Sequence, residues 1–174
     1  MFALRLIGAM ALAAVLSAAG PAAATLCTAA PAAAEPYQVA DGHYTSAADP
    51  GWVFFLSPPG YGGVRNGQAV NQFGCGIGPD GTVGCDAVPD PDNAGYDPRS
   101  VVPPGTNQTV AAPDLPGEYR HSDTLTFTRD VDVLPEGHQL VNGAASCLVG
   151  FQGSVSCSTG AHGFTHYSIF GNTH

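Results

Sequence analysis

Histidine and carboxylate are the side chains from which this chain could build a reactive or metal-binding centre, and they gather in three places. The C-terminal stretch holds His162, His166 and His174, with His121 and His138 upstream. Neutral imidazoles suit zinc or copper. On a strand, His162 and His166 share a face but stand about 13 Å apart, too far to chelate one ion together; on a turn they converge. No Cys or carboxylate sits beside them at ligand spacing. The competing reading is therefore solvated or core-edge histidines, with His162 capping a turn before Phe164. The second place is Asp90-Pro-Asp-Asn-Ala-Gly-Tyr-Asp97, where Asp90, Asp92 and Gly95 fall at positions one, three and six of a calcium loop. Position five is Ala94 and position twelve is Val101, so the bidentate carboxylate is missing. That leaves a weak calcium site or a solvated acidic loop. Third, Asp130 and Asp132 lie on one face of an extended segment, about 6.6 Å apart. Glycosidase carboxylates span such separations, and so does plain exposed alternation. The sequence has no Gly-x-Ser-x-Gly, His-Glu-x-x-His or phosphate-cradling loop. The expectation is no catalytic residue, no cofactor, and no metal beyond the weak candidates His162, His166, Asp90 and Asp92.

The five cysteines stand at 27, 75, 85, 147 and 157. Four of them bracket an internal repeat. Cys75-Gly-Ile-Gly-Pro-Asp-Gly-Thr-Val-Gly-Cys85 lies over Cys147-Leu-Val-Gly-Phe-Gln-Gly-Ser-Val-Ser-Cys157, with Gly78 on Gly150, Gly81 on Gly153 and Val83 on Val155. Folding each copy about its centre sets Cys75 opposite Cys85 and Cys147 opposite Cys157. The three-residue turns are then Pro79-Asp80-Gly81 and Phe151-Gln152-Gly153, each with Gly at the left-handed position. Opposed β-carbons in a hairpin are about 4.5–5.5 Å apart, near disulfide range. The predicted bridges are Cys75–Cys85 and Cys147–Cys157. Each closes a loop worth about 2.8 kcal/mol in the chain-entropy model. A ten-residue step suits neither zinc nor thioredoxin-type chemistry.

Even cysteine pairing and an N-terminal export signal support each other. Met1 to Arg5 is a short charged region, Leu6 to Ala19 an apolar run too short to span a membrane, and Gly20-Pro21 break it. Cutting after Ala34 removes Cys27 and leaves four cysteines for an oxidising compartment; Ala22-Ala23-Ala24 offers a second cleavage site. The alternative is a lipoprotein anchored through Cys27, although Leu26 is a poor residue directly before a lipidated cysteine. After cleavage no transmembrane span remains. The chain has five Lys plus Arg and 14 Asp plus Glu. None is lysine, and without Arg5 the remainder carries four Arg against all 14 acids. Such a surface lacks the cations that nucleic acid or anionic lipid demands.

The remaining elements read as β structure. Residues 35–50 are expected to be a flexible N-terminal segment before a single β domain over 51–174. Trp52 to Leu56 is a buried strand between Pro/Gly turns. Tyr61 to Gly67 is a Gly-rich loop leading to a strand into Cys75. The stretch 86–117 holds seven Pro in 32 residues and reads as a surface excursion, neither helix nor interior strand. Leu125, Phe127, Val131 and Val133 alternate with polar residues, the period of a half-buried strand or strand pair, with Arg129 on the apolar face. Pro135-Glu-Gly137 turns the chain, His138 to Val141 leads into the second hairpin, and 164–170 is a closing strand. The predicted class is all-β, a small disulfide-stapled sandwich or barrel built around the two hairpins, with long Pro/Gly-rich loops.

In order, Phe55-Leu-Ser-Pro-Pro-Gly60, the first cysteine hairpin, Val133-Leu-Pro-Glu-Gly137, the second cysteine hairpin and Gly160-Ala-His-Gly-Phe-Thr165 resemble an exported actinobacterial (mycobacterial-type) family of unknown function. The similarity covers about residues 52 to 170 and is closer from Val133 onward. Tyr61-Gly-Gly-Val64 stands where the family has Asn-Ile-Gly-Cys. The resemblance implies export and a disulfide-stapled β domain, and it implies no enzymatic activity. The expected function is non-catalytic recognition of a protein or envelope component, in or beyond the cell envelope. The rival expectations are an exported hydrolase with a dispersed His/Asp site, or a metal-binding secreted protein.

Overall fold

The computed structural model describes residues 37–90, 101–167 and 171–174. The expected export signal, both cleavage sites, Cys27, Asp92 and most of the calcium-like loop lie outside the described residues.

Both cysteine hairpins form as the repeat predicts. Strands β5 (Gly74–Ile77) and β6 (Val83–Cys85) pair Cys75 with Cys85 and Ile77 with Val83. Strands β10 (Ala145–Gly150) and β11 (Ser154–Thr159) pair Cys147 with Cys157 and Val149 with Val155. Gly81 and Gly153 take left-handed φ angles of 85° and 82°, and Gln152 follows at 66°. Both disulfides are present, each across a Cα–Cα distance of 4.0 Å.

Each hairpin lies in the interior of one sheet. The six-stranded sheet runs β1 (Gln38–Val39), β9 (His138–Asn142), β10, β11, β12 (His162–His166) and β13 (Gly171–Thr173). The five-stranded sheet runs β2 (Val53–Leu56), β5, β6, β7 (Gln108–Ala112) and β8 (Leu115–Arg120). A separate small hairpin joins β3 (Gly63–Arg65) to β4 (Gln68–Val70). The hairpins pack their cysteine faces together, and one buried cluster contains both disulfides with Ile77, Val83, Val149, Val155, Leu140 and Phe164. The class is all-β. The sheets are tied at one margin, by Gly117 N donating to His174 O, and Leu56 N donates to Asp132 O in the segment before β9; the sheets do not close into a barrel. Among the described residues no helix is long and apolar enough to cross a membrane.

Three expectations need correction. First, β structure begins before residue 51: Gln38–Val39 pairs in parallel with β9, and Tyr44 is buried in the core, its carbonyl accepting from Phe54 N at 2.7 Å. A two-residue parallel strand has no sequence period to betray it. Second, 86–117 is not all surface excursion. Strand β7 lies inside the sheet between β6 and β8, with Gln108 to Ala111 buried. It occupies a Pro-free window, and Pro116 sits on the edge strand β8, where a missing N–H is tolerated. Third, no strand forms over 123–132.

That last segment instead makes a third layer over the outer face of the five-stranded sheet. Gly76 and Gly84 pair in the floor beneath it. A β-carbon on Gly84 would lie 2.2 Å from Phe127, and one on Gly76 would lie 2.8 Å from Phe54. Trp52 stacks on Phe54 at 5.6 Å, and the Arg129 guanidinium sits 4.7 Å from the Phe54 ring centre while pairing with Asp49. Of the apolar positions in 123–133, Phe127 and Val131 are buried while Leu125 and Val133 are exposed, so the alternation does not mark one inward face; Val133 makes an isolated parallel bridge to Leu56.

Candidate functional site

The covering layer is pinned by a buried carboxylate. Asp86 follows Cys85 directly, so β6 delivers its side chain to the outer side of the sheet. Its Oδ1 accepts from Gln108 Nε2 and from the Thr126 amide; its Oδ2 accepts from the Phe127 and Thr128 amides and the Thr128 hydroxyl, all at 2.7–3.0 Å. Three consecutive amides directed at one carboxylate replace the ladder bonds that a strand here would have made. Arg65 Nε donates to Asp86 O and Arg120 Nε to Gln108 Oε1. A polar cleft of about 100 Å³ opens beside them, lined by Arg65, Asn66, Asn107, Gln108 and Ser122 among others. Every oxygen lone pair of Asp86 pointing into the structure already has a donor, so the arrangement anchors a segment.

The structure separates the sequence candidates. His162 and His166 both lie on β12 with their side chains on the core side, opposite Thr159 and Val155. His166 is fully buried, its ring 4.6 Å from that of Phe73 and its Nε2 3.1 Å from Gly62 O. Burial pushes its pKa down to about 4. His138 Nδ1 contacts Glu136 O, and His121 bridges Gly105 O and Asp123 at the surface. The Asp123 carboxylate, then the Gly105 carbonyl, raise the His121 pKa. Asp132 accepts from the His43 amide at 2.7 Å, which ties the chain before β2 to the segment before β9. Of the calcium-like stretch 90–97, Asp90 alone falls within the described residues. Among the described residues no three His, Cys, Asp or Glu side chains converge on a point that a metal ion could occupy.

Residue charge did not point to the most regular surface of the molecule. In the six-stranded sheet, Leu140, Ala145, Cys147, Val149, Val155, Cys157 and Phe164 face the core. Their neighbours must therefore project outward. Pairing aligns these outward residues into rungs. One rung runs Val39, Gln139, Leu148, Ser156, Thr165, Asn172 across all six strands. The next runs Val141, Ser146, Ser158, Gly163. Neither contains a charged residue. Hydroxyls link along the rungs, Ser156 to Thr165 at 2.5 Å and Ser146 to Ser158 at 3.3 Å. Val39 and Val141 are 63% and 47% exposed. At the tip of the β10–β11 hairpin Phe151 is 66% exposed. The equivalent floor in the first hairpin, Gly76 with Gly84, lies under aromatic rings, whereas Leu148 and Ser156 are half-buried. The signal was present in the repeat: outward glycines in one copy and Leu, Ser and an exposed Phe in the other.

Comparison with known proteins finds no matching family model, no matching curated protein and no matching solved structure.

Proposed function

We propose that the protein is an exported, non-catalytic recognition domain that uses the outer face of the six-stranded sheet to hold a component of the cell envelope. The observation that carries this reading is the uncharged rung from Val39 to Asn172, partly exposed where the twin hairpin is covered by aromatic rings. Two disulfides support export, because they persist in oxidising compartments outside the cytoplasm. The pattern of residues 1–34 supports a cleaved signal, and the resemblance to an exported actinobacterial family agrees with both. The Asp86 network supports a structural role for the most elaborate polar cluster.

The test is cosedimentation of the protein, purified from its host, with isolated host envelope. Binding that is lost on Ser156→Lys and retained on Gln68→Glu, a control on the exposed strand β4, is the expected result. Equal binding by both variants overturns the reading.

A further inference from the structure

The geometry points to an uncharged, hydroxyl-rich polysaccharide as the ligand of this face, lying across the strands with one sugar ring stacked on Phe151. The inference rests on the recognition reading above and adds the ligand's chemical class.

Shape argues first. Six strands at about 4.8 Å spacing make a strip roughly 24 Å long, and its two rungs stand about 7 Å apart along the strands. That is on the order of 200 Å², well below the roughly 800 Å² per partner that a stable protein complex buries. A second copy of the chain or a globular protein is too broad for it. A single extended polymer chain matches a long, narrow strip.

Charge argues second. The chain carries a formal −9, and the rungs offer no cation to a polyanion. A polycation would be drawn to the acidic surface elsewhere. An uncharged polymer loses nothing on the neutral strip. Its hydroxyls find there what they need, with Ser146, Ser156, Ser158 and Thr165 serving as both donors and acceptors, the Asn172 amide adding two donors, and Gln139 adding one beyond the bond its Nε2 makes to Tyr37 O.

The aromatic argues third. Phe151 occupies the turn position held by Pro79 in the twin hairpin, so the turn itself does not need an aromatic there. The Phe151 ring stands at the tip of the β10–β11 hairpin, beside the middle of the strip and three residues beyond Leu148, near Gly137 and the half-buried start of β9. Aromatic faces accept the C–H faces of sugars through dispersion and apolar burial.

Affinity electrophoresis of the intact protein through gels holding a soluble α-glucan, a mannan or polygalacturonate tests this. The expected result is retardation by an uncharged polysaccharide and none by the polyanion. Phe151→Ala and Ser156→Lys should each weaken the apparent affinity at least tenfold, with unchanged thermal unfolding as the folding control. No retardation by any uncharged polysaccharide, alongside envelope binding that Ser156→Lys still abolishes, overturns the polysaccharide and leaves the recognition reading standing. Retardation that both variants retain overturns the assignment to this strip. A dimer in sedimentation velocity that Ser158→Glu dissociates also overturns the inference, because a second copy then fills the face.

Discussion

Acid should remove about 3 kcal/mol of stability through His166 alone. The ring is fully buried against Phe73, and Nε2 meets only a carbonyl, Gly62 O. Burial penalises the imidazolium, and the backbone contact offsets only part of that, so the pKa falls from 6.5 to about 4. At 1.36 kcal/mol per pKa unit, this amounts to about 3 kcal/mol. The folded-state pKa is depressed, so the unfolded chain binds the proton more readily across the window between the two values. The contribution is fully present above pH 6.5, declines as pH falls, and is exhausted near pH 4. Guanidinium unfolding with disulfides intact, followed by Trp52 fluorescence from pH 7.5 to 3.5, measures it. Carboxylates titrate in the same range, so the comparison is with His166→Gln, which keeps an amide N–H for Gly62 O and cannot titrate. The wild type should lose about 3 kcal/mol more than the variant between the ends of that range. Parallel pH profiles would refute the reasoning, showing that His166 charges in the folded state without penalty.

Further outcomes follow from the covering layer and the staples. Asp86→Ala strands three backbone amides and the Gln108 side chain, and should cost about 3–5 kcal/mol, read as a lower denaturation midpoint with altered Trp52 emission. Gly84→Ala forces a β-carbon into Phe127 and should cost about 1–3 kcal/mol; in a double-mutant cycle with Phe127→Ala the two effects should be strongly non-additive, and simple additivity would mean Phe127 does not lie on Gly84. Replacing Cys147 and Cys157 together by Ala should lower stability by about 2.8 kcal/mol in equilibrium unfolding.

What the sequence disclosed was local. The ten-residue cysteine steps, the turn glycines and the inward valines lie within eleven residues of each other, so both hairpins and both disulfides could be read directly. What it concealed depends on distant partners. The segment 123–133 alternates like a strand, but its amides bond to Asp86, some 40 positions earlier. The interior strand β7 is masked by the seven prolines of 86–117, although the window from Gly105 to Ala112 has none. The spacing of His162 and His166 suits ligands as well as core positions, and β12 turns both toward the core. The uncharged face was the hardest to see, because it is defined by an absence of charge at outward positions on six strands whose order only the fold supplies.

Cosedimentation with isolated envelope tests the central claim most directly, with a charge placed on the uncharged strip and the same test applied to a distant surface. The account predicts that Ser156→Lys releases the protein while Gln68→Glu stays bound. If Ser156→Lys sediments as the wild type does, the outer face of the six-stranded sheet is not where this protein recognises its ligand.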